Sequence, residues 1–180
     1  MLETERLILR HPVADDLDAL ADMFADPVVT AHIGGMLSRA EAWSRLLRDV
    51  GHWTLEGFGQ FIITHKATGS FVGKVGFAKY ERDLGPRVDT DVECSWTLRS
   101  ACHGHGYATE AALGVHQWHD RQRPGPTACM IALENAASRK LAAALGYVEV
   151  DRRDAPTGSS VVLQRPAPRD AIAAGVRPQP

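Results

Sequence analysis

Cysteine is scarce in this chain. Cys94, Cys102 and Cys129 are the only three among 180 residues. An odd, small number with no signal-peptide pattern argues against a disulfide framework and for free thiols. Charge of one sign is also missing: 20 Lys and Arg stand against 22 Asp and Glu, a net of −2. That balance carries no electrostatic footprint for nucleic acid. No run is long and apolar enough to span a bilayer, so no membrane partner is expected and cytoplasm is the expected location. Cys102, His103, His105, His116 and His119 invite a metal reading. However, Cys102 and His103 are adjacent, and no Cys/His spacing of the closed structural kind appears, so no metal is expected. A dinucleotide loop is disfavoured as well. Gly104-His-Gly106-Tyr-Ala-Thr109 lacks the third Gly or Ala and lies mid-chain rather than after a first strand.

What the chain does have is a core and two informative blocks. Hydrophobic residues make up 44% and charged residues 23%, the balance of one ordinary soluble domain. The first block runs from Glu93 to Ala111. A strand-like segment, Val92 to Leu98, leads through a glycine-punctuated loop into a helix from Tyr107 to about Gln122. Helix-start amides lack intrahelical partners and carry the positive end of the dipole, so they suit a phosphate. Gly104 and Gly106 let a ligand approach the main chain, or satisfy a left-handed turn; both readings stand. The second block runs from Ile131 to Tyr147. Asn135 is a plausible N-cap, Ser138 falls in the first turn, and Ala137, Leu141, Ala144 and Leu145 share a face. Gly146 fits the left-handed position that ends a helix.

The rest of the chain reads as strands and helices in a mixed sheet flanked by helices. Arg6 to Arg10 is a strand. Asp15 to Phe24 is a helix that Pro27 is expected to stop. Ser38-Arg-Ala-Glu41 is a capping box for a helix through about Thr54. Gly59 to Ile63 and Phe71 to Tyr80 form a hairpin turned at Lys66 to Ser70. Thr127 to Leu133, Val148 to Asp151 and Ser160 to Gln164 are further strands. Residues 1–165 are expected to be a single domain, and Pro166 to Pro180, rich in Pro, Ala and Gly, a disordered tail.

These blocks together resemble the GNAT superfamily of N-acetyltransferases, and within it the Rim-type (ribosomal-protein N-terminal acetyltransferase-like) branch. Thr4-Glu-Arg-Leu-Ile-Leu-Arg10 matches that branch's first strand. Gly104 to Ala111 matches its acetyl-CoA loop and following helix. Glu134-Asn135-Ala-Ala-Ser138 with Leu145-Gly146-Tyr147 matches its second cofactor motif. The likeness covers roughly Leu2 to Leu163. It departs at Ala101, where the family usually has Gln or Arg, at His103, commonly an aromatic, and at His105, usually Lys, Arg or Gln. The resemblance implies a GNAT acyl-CoA N-acyltransferase fold, an α/β domain with a central, mostly antiparallel, splayed sheet. It also implies acetyl-CoA as co-substrate, with Trp96, Thr97, Leu98, Cys102, His103, Gly104, His105, Gly106, Tyr107, Ala108, Asn135 and Ser138 expected to bind it.

The expected activity is acetyl transfer to a primary amine, a protein N-terminus or a small molecule, by direct attack in a ternary complex. In the resembling branch a Glu on this strand acts as base, which makes Glu93 the candidate general base or substrate anchor. Ser138 is the candidate acid toward the leaving thiolate, and an amide near Leu98 the candidate oxyanion donor. Tyr147 stands where the family usually has Phe and is read as packing. His32 and Glu93 are expected to contact the acceptor, with Ile33, Gly34, Gly35, Trp53, Phe58 and residues 84–90 as further lining. The chain is expected to act as monomer or homodimer. The alternative is a non-catalytic acyl-CoA-binding or regulatory module, which the change at Ala101 keeps in play.

Overall fold

The computed structural model describes residues 1–155 and 158–168. Most of the proposed tail therefore lies outside the described residues. Eight strands follow the order β1-β2-β3-β4-β5-β6-β8-β7. They are β1 (Leu2–Glu3), β2 (Leu7–Arg10), β3 (Gln60–His65), β4 (Phe71–Lys79), β5 (Val92–Leu98), β6 (Thr127–Ala132), β7 (Val148–Ala155) and β8 (Gly158–Arg165). The helices are α1 (Leu17–Ala25), α2 (Pro27–Thr30), α3 (Arg39–Glu56), α4 (Tyr107–Gln122) and α5 (Ala136–Ala144). Pairing is antiparallel for β1 with β2, β2 with β3, β3 with β4, β6 with β8, and β7 with β8. β5 and β6 pair parallel, registered at Glu93 opposite Ala128. A parallel neighbour needs a crossover, and α4 supplies it. Among the described residues no helix is long and apolar enough to cross a membrane.

The chain divides into two compact units, residues 1–78 with 95–114 and residues 79–94 with 115 onward. In the first, Leu20, Met23, Phe24, Val29, Ala42, Leu46 and Ile62 form a buried cluster under α1 and α3. The α3 start is the expected capping box: Ser38 Oγ accepts from the Glu41 amide while the Glu41 carboxylate accepts from the Ser38 amide at 2.8 Å. Gly73 permits a close approach, since a Cβ there would lie 2.3 Å from the Thr97 carbonyl oxygen. In the second unit Leu84, Ala128 and Val162 form one buried cluster, with Val88 and Val150 packed against it. Here α5 ends in a Schellman motif. Tyr147 N–H donates to Ala142 O at 3.0 Å, Gly146 N–H donates to Ala143 O at 3.1 Å, and Gly146 has φ +88°.

Several strands run past the expected ends, β7 to Ala155 and β3 to His65, and two helix boundaries differ in kind. Pro27 does not stop α1 but opens α2: its missing N–H costs nothing at a first helical position, and Asp26 Oδ1 caps the turn by accepting from Val28 N–H at 2.8 Å. The Asp15–Phe24 helix opens instead as a 3-10 turn over Ala14–Asp16, before α1 proper.

One polar pair is buried inside the first unit. Lys74 on β4 and Asp49 on α3 form an ion pair, with exposures of only 6% and 3%. Burial pushes the Lys74 ammonium below the ordinary lysine range, and the Asp49 carboxylate opposes that shift.

Candidate active site

The glycine loop belongs to the first unit and is built from its own neighbours. Ser100–Cys102 forms a 3-10 turn, with Cys102 N–H donating to Arg99 O and His103 N–H to Ser100 O. Gly104 and Gly106 both have φ +79°, a left-handed conformation that side-chained residues rarely adopt. A Cβ built on Gly104 would meet nothing within 4 Å, so the glycine answers to the backbone turn and its open face stays accessible. The first α4 amide to find a main-chain partner is Glu110, donating to Gly106 O at 3.1 Å. The amides of Tyr107, Ala108 and Thr109 precede that bond and are the natural donors for an anion. A part-exposed run of amides at the start of a sixteen-residue helix is a donor set suited to an anion such as a diphosphate.

A buttress from the start of the chain holds this loop. Arg6 Nη1 donates to His105 O at 3.0 Å, and the Arg6 guanidinium lies 4.6 Å over the Tyr107 ring. Glu110 of α4 closes the arrangement. Its Oε1 accepts from Arg6 N–H at 2.7 Å and from Thr4 Oγ1 at 2.5 Å, and its Oε2 accepts from Arg6 Nε at 2.7 Å. Burial pushes the Glu110 carboxyl up, but these hydrogen bonds and the Arg6 charge outweigh it and hold the group below its ordinary range. At the loop's other end Ser100 Oγ donates to Asp26 Oδ2 at 2.5 Å. Thr4, Arg6 and Glu110 were absent from the expected site. All three sit in the matched stretches, yet their pairing spans over a hundred residues and has no local sequence signal.

Because the buttress orients main-chain groups of the loop, Glu110→Gln is expected to keep the fold but weaken coenzyme A binding roughly tenfold, on the order of 1.4 kcal/mol. Isothermal titration of the variant with coenzyme A checks this; wild-type affinity would rule out the buttress role.

The remaining cofactor-contact expectations fall as follows. Trp96 and Thr97 on β5 are half-buried, and Leu98 is buried. The His103 ring folds back, its Nε2 3.0 Å from Leu98 O, while His105 stacks beside Tyr107 with centroids 5.7 Å apart. Arg99 N–H is committed to Val72 O at 3.0 Å, so it is not the oxyanion donor sought near Leu98. Cys102 is half-buried. His32 is exposed in the turn after α2, and Ile33 packs on the α1–α3 cluster. Phe58 and Leu84 are core residues. Trp53 stacks on His11 at 3.8 Å and donates to Gln60 O at 2.9 Å.

Glu93, Asn135 and Ser138 belong to the second unit. Asn135 Oδ1 caps α5 by accepting from Ser138 N–H at 3.0 Å. Glu93 is 3% exposed, so its side of β5 is covered rather than open to solvent. Both carboxylate oxygens accept from Arg82, Oε1 from Nε at 2.8 Å and Oε2 from Nη2 at 2.5 Å. Tyr147 is buried, its hydroxyl 2.7 Å from Thr127 Oγ1 and 3.0 Å from His116 Nε2. Burial raises its pKa well above the ordinary tyrosine value, which ill suits a proton donor to an outside group. Burial likewise pushes the Cys94 thiol up to about 12 and lowers His119 to about 4. Among the described residues no group of three or more His, Cys, Asp or Glu could hold a metal ion.

Comparison with known proteins adds a family. A family profile described as an acetyltransferase (GNAT) domain matches residues 6–148. A structure described as a GnaT-family acetyltransferase from Bordetella pertussis shares 28% identity over 91% of this chain and 98% of its own, with a TM-score of 0.81. The ribosomal-protein-S5-alanine acetyltransferase of Vibrio fischeri superposes at 0.74 with 17% identity, over 93% of this chain and 96% of its own. RimL, a ribosomal L7/L12 alpha-N-protein acetyltransferase solved in complex with coenzyme A, superposes at 0.72 with 12% identity, over 91% and 96%. At these identities the last two likenesses speak to the fold alone.

Proposed function

The chain belongs to the GNAT acetyltransferase family, and from that premise we propose that it moves the acetyl group of acetyl-CoA onto a primary amine by direct attack in a ternary complex. The observation that carries this reading is the open amide run from Gly104 into α4, with both glycines left-handed and the loop pinned by Arg6 and Glu110. Acetyl-CoA supplies an activated thioester carbonyl. The chain's residues bind its diphosphate through the Tyr107, Ala108 and Thr109 amides, with the Asn135 end of α5 ordering the pantetheine arm. Glu93 takes a proton from the ammonium form of the acceptor, directly or through a water. The freed nitrogen bonds to the acetyl carbon as the C–S bond breaks; the Ser138 hydroxyl gives its proton to the departing thiolate and is restored by the second proton that the nitrogen sheds on becoming an amide. The acceptor classes proposed are a peptide N-terminus and a small-molecule amine.

A panel of peptide N-termini, polyamines and amino-acid derivatives, offered with acetyl-CoA and read by free-thiol release, tests the proposal. Thiol release above the amine-free rate, together with calorimetric binding of coenzyme A, is expected. A non-catalytic acyl-CoA-binding module would give the heat of binding and no thiol. Absence of any heat on well-folded protein would remove the donor, and the reading with it.

A further inference from the structure

We propose that Arg82 is a positioning residue for Glu93: its guanidinium fork fixes the plane of that buried carboxylate and so sets the direction from which it receives a proton. The inference rests on the reading of Glu93 as base.

A carboxylate 3% exposed loses most of its hydration, a cost that hydrogen bonds to a counter-charge offset. The Arg82 fork answers that cost with two parallel charge-assisted bonds, 2.8 and 2.5 Å long, which also fix the plane of the carboxylate. Each oxygen keeps one further lone pair, so the group can still accept a proton from the side away from the guanidinium. The Cys129 thiol on β6, which interacts with Glu93, is pushed up by burial and is neutral. Lys79, at the end of β4, is paired with Asp91 at 3.3 Å. Asp83, the next acidic side chain along the loop, accepts from Gly85 N–H at 2.7 Å and lies 3.6 Å from Arg153.

The backbone points the same way. Glu81, immediately before Arg82, is the one non-glycine with positive φ among the described residues, at 49°. A left-handed conformation costs a β-carbon residue about 1 kcal/mol, and such strain persists where the surroundings impose it. Arg82 then lies over the Tyr80 ring, 5.5 Å from its centroid. The strained turn and the aromatic shelf both aim the guanidinium at Glu93. Arg82 keeps 43% of its side chain exposed, so the pair adds little to the folding core while the carboxylate end is shut off from water.

The test is the pH dependence of kcat and kcat/KM for Arg82→Ala, Arg82→Lys, Glu93→Gln and the Arg82→Ala/Glu93→Gln double variant, using the best amine of the panel. Losing the counter-charge makes Glu93 easier to protonate, so the acid limb of the Arg82→Ala profile is expected to move up by a pH unit or more. Turnover at neutral pH should fall about tenfold and recover as pH rises. Arg82→Lys should retain most of the wild-type limb, because the charge remains while the fork is lost. The double variant should be no slower than Glu93→Gln alone. An Arg82→Ala enzyme with an unmoved acid limb overturns the proposal whether its rate is lower or unchanged. A lower amine KM at unchanged kcat also overturns it, since Arg82 would then only be occupying the acceptor's place. If Glu93→Gln itself turns over at the wild-type rate, the base reading fails first, and that result is separable from an unmoved Arg82→Ala limb. Should Arg82→Ala melt before assay, Arg82→Gln removes the charge with less loss of packing and is read by the same limb.

Discussion

Glu93→Gln is expected to lower kcat by about two to four orders of magnitude, the usual range for removing a positioned general base. Affinity for coenzyme A should stay within twofold, because the proposed diphosphate site lies in the loop from Gly104 into α4 and owes nothing to this side chain. Gln keeps nearly the same volume and one carbonyl oxygen for Arg82, so the packing of a residue 3% exposed is disturbed little. What it loses is the ability to take a proton. Pre-steady-state and steady-state thiol release across pH would separate this from a binding defect. A rate near wild type, with an unchanged acid limb, would take Glu93 out of the chemistry and leave it as half of a structural ion pair.

The second large effect falls on stability. Asp49→Ala is expected to destabilise the protein by about 3–5 kcal/mol, the cost of leaving one member of a buried ion pair without its partner. Lys74 is 6% exposed and already pushed below the ordinary lysine range by burial, with Asp49 the main group holding it up. Without that carboxylate its folded-state pKa falls further, while the unfolded chain keeps the ordinary value of about 10.4. The unfolded state then binds the proton more tightly. The defect should therefore be fully expressed near neutral pH and shrink as pH climbs toward the unfolded lysine value. Urea melts of Asp49→Ala at neutral and alkaline pH measure this. A double change to Asp49→Leu and Lys74→Met should recover most of the loss, since an apolar pair of similar volume often equals or exceeds a buried ion pair. A loss under 1 kcal/mol at neutral pH would mean that water reaches the pair.

Where local chemistry decides the backbone, sequence reading and structure agree closely. Ser38 and Glu41 cap α3, Asn135 and Gly146 bracket α5, and β5 and α4 run over the expected residues. Each rests on a signal confined to a few neighbouring positions: a cap, a left-handed glycine, an alternation. Pro27 misled because proline forbids a helix interior yet suits a helix start, and only the Asp26 cap tells the two apart. The loop glycines were legible as left-handed turn positions, whereas the residues that hold the loop were not. Arg6 and Glu110 are 104 positions apart, and neither carries a mark of its partner. The same holds for Arg82 and Glu93. A strand carboxylate reads alike whether it meets solvent, substrate or a guanidinium, and only the folded chain brings Arg82 to both its oxygens.

The way the loop is held has a bearing on which positions can drift. A diphosphate gripped by peptide groups is indifferent to the side chains that decorate them, so Ala101, His103 and His105 can differ from the common pattern at small cost. On the proposed reading the stringency passes instead to Thr4, Arg6 and Glu110, whose hydrogen bonds hold the loop in shape. Random mutagenesis scored on acetyl transfer should therefore find the strictest side-chain requirements at the chain's opening strands and one turn into α4, with the loop between its two glycines comparatively permissive.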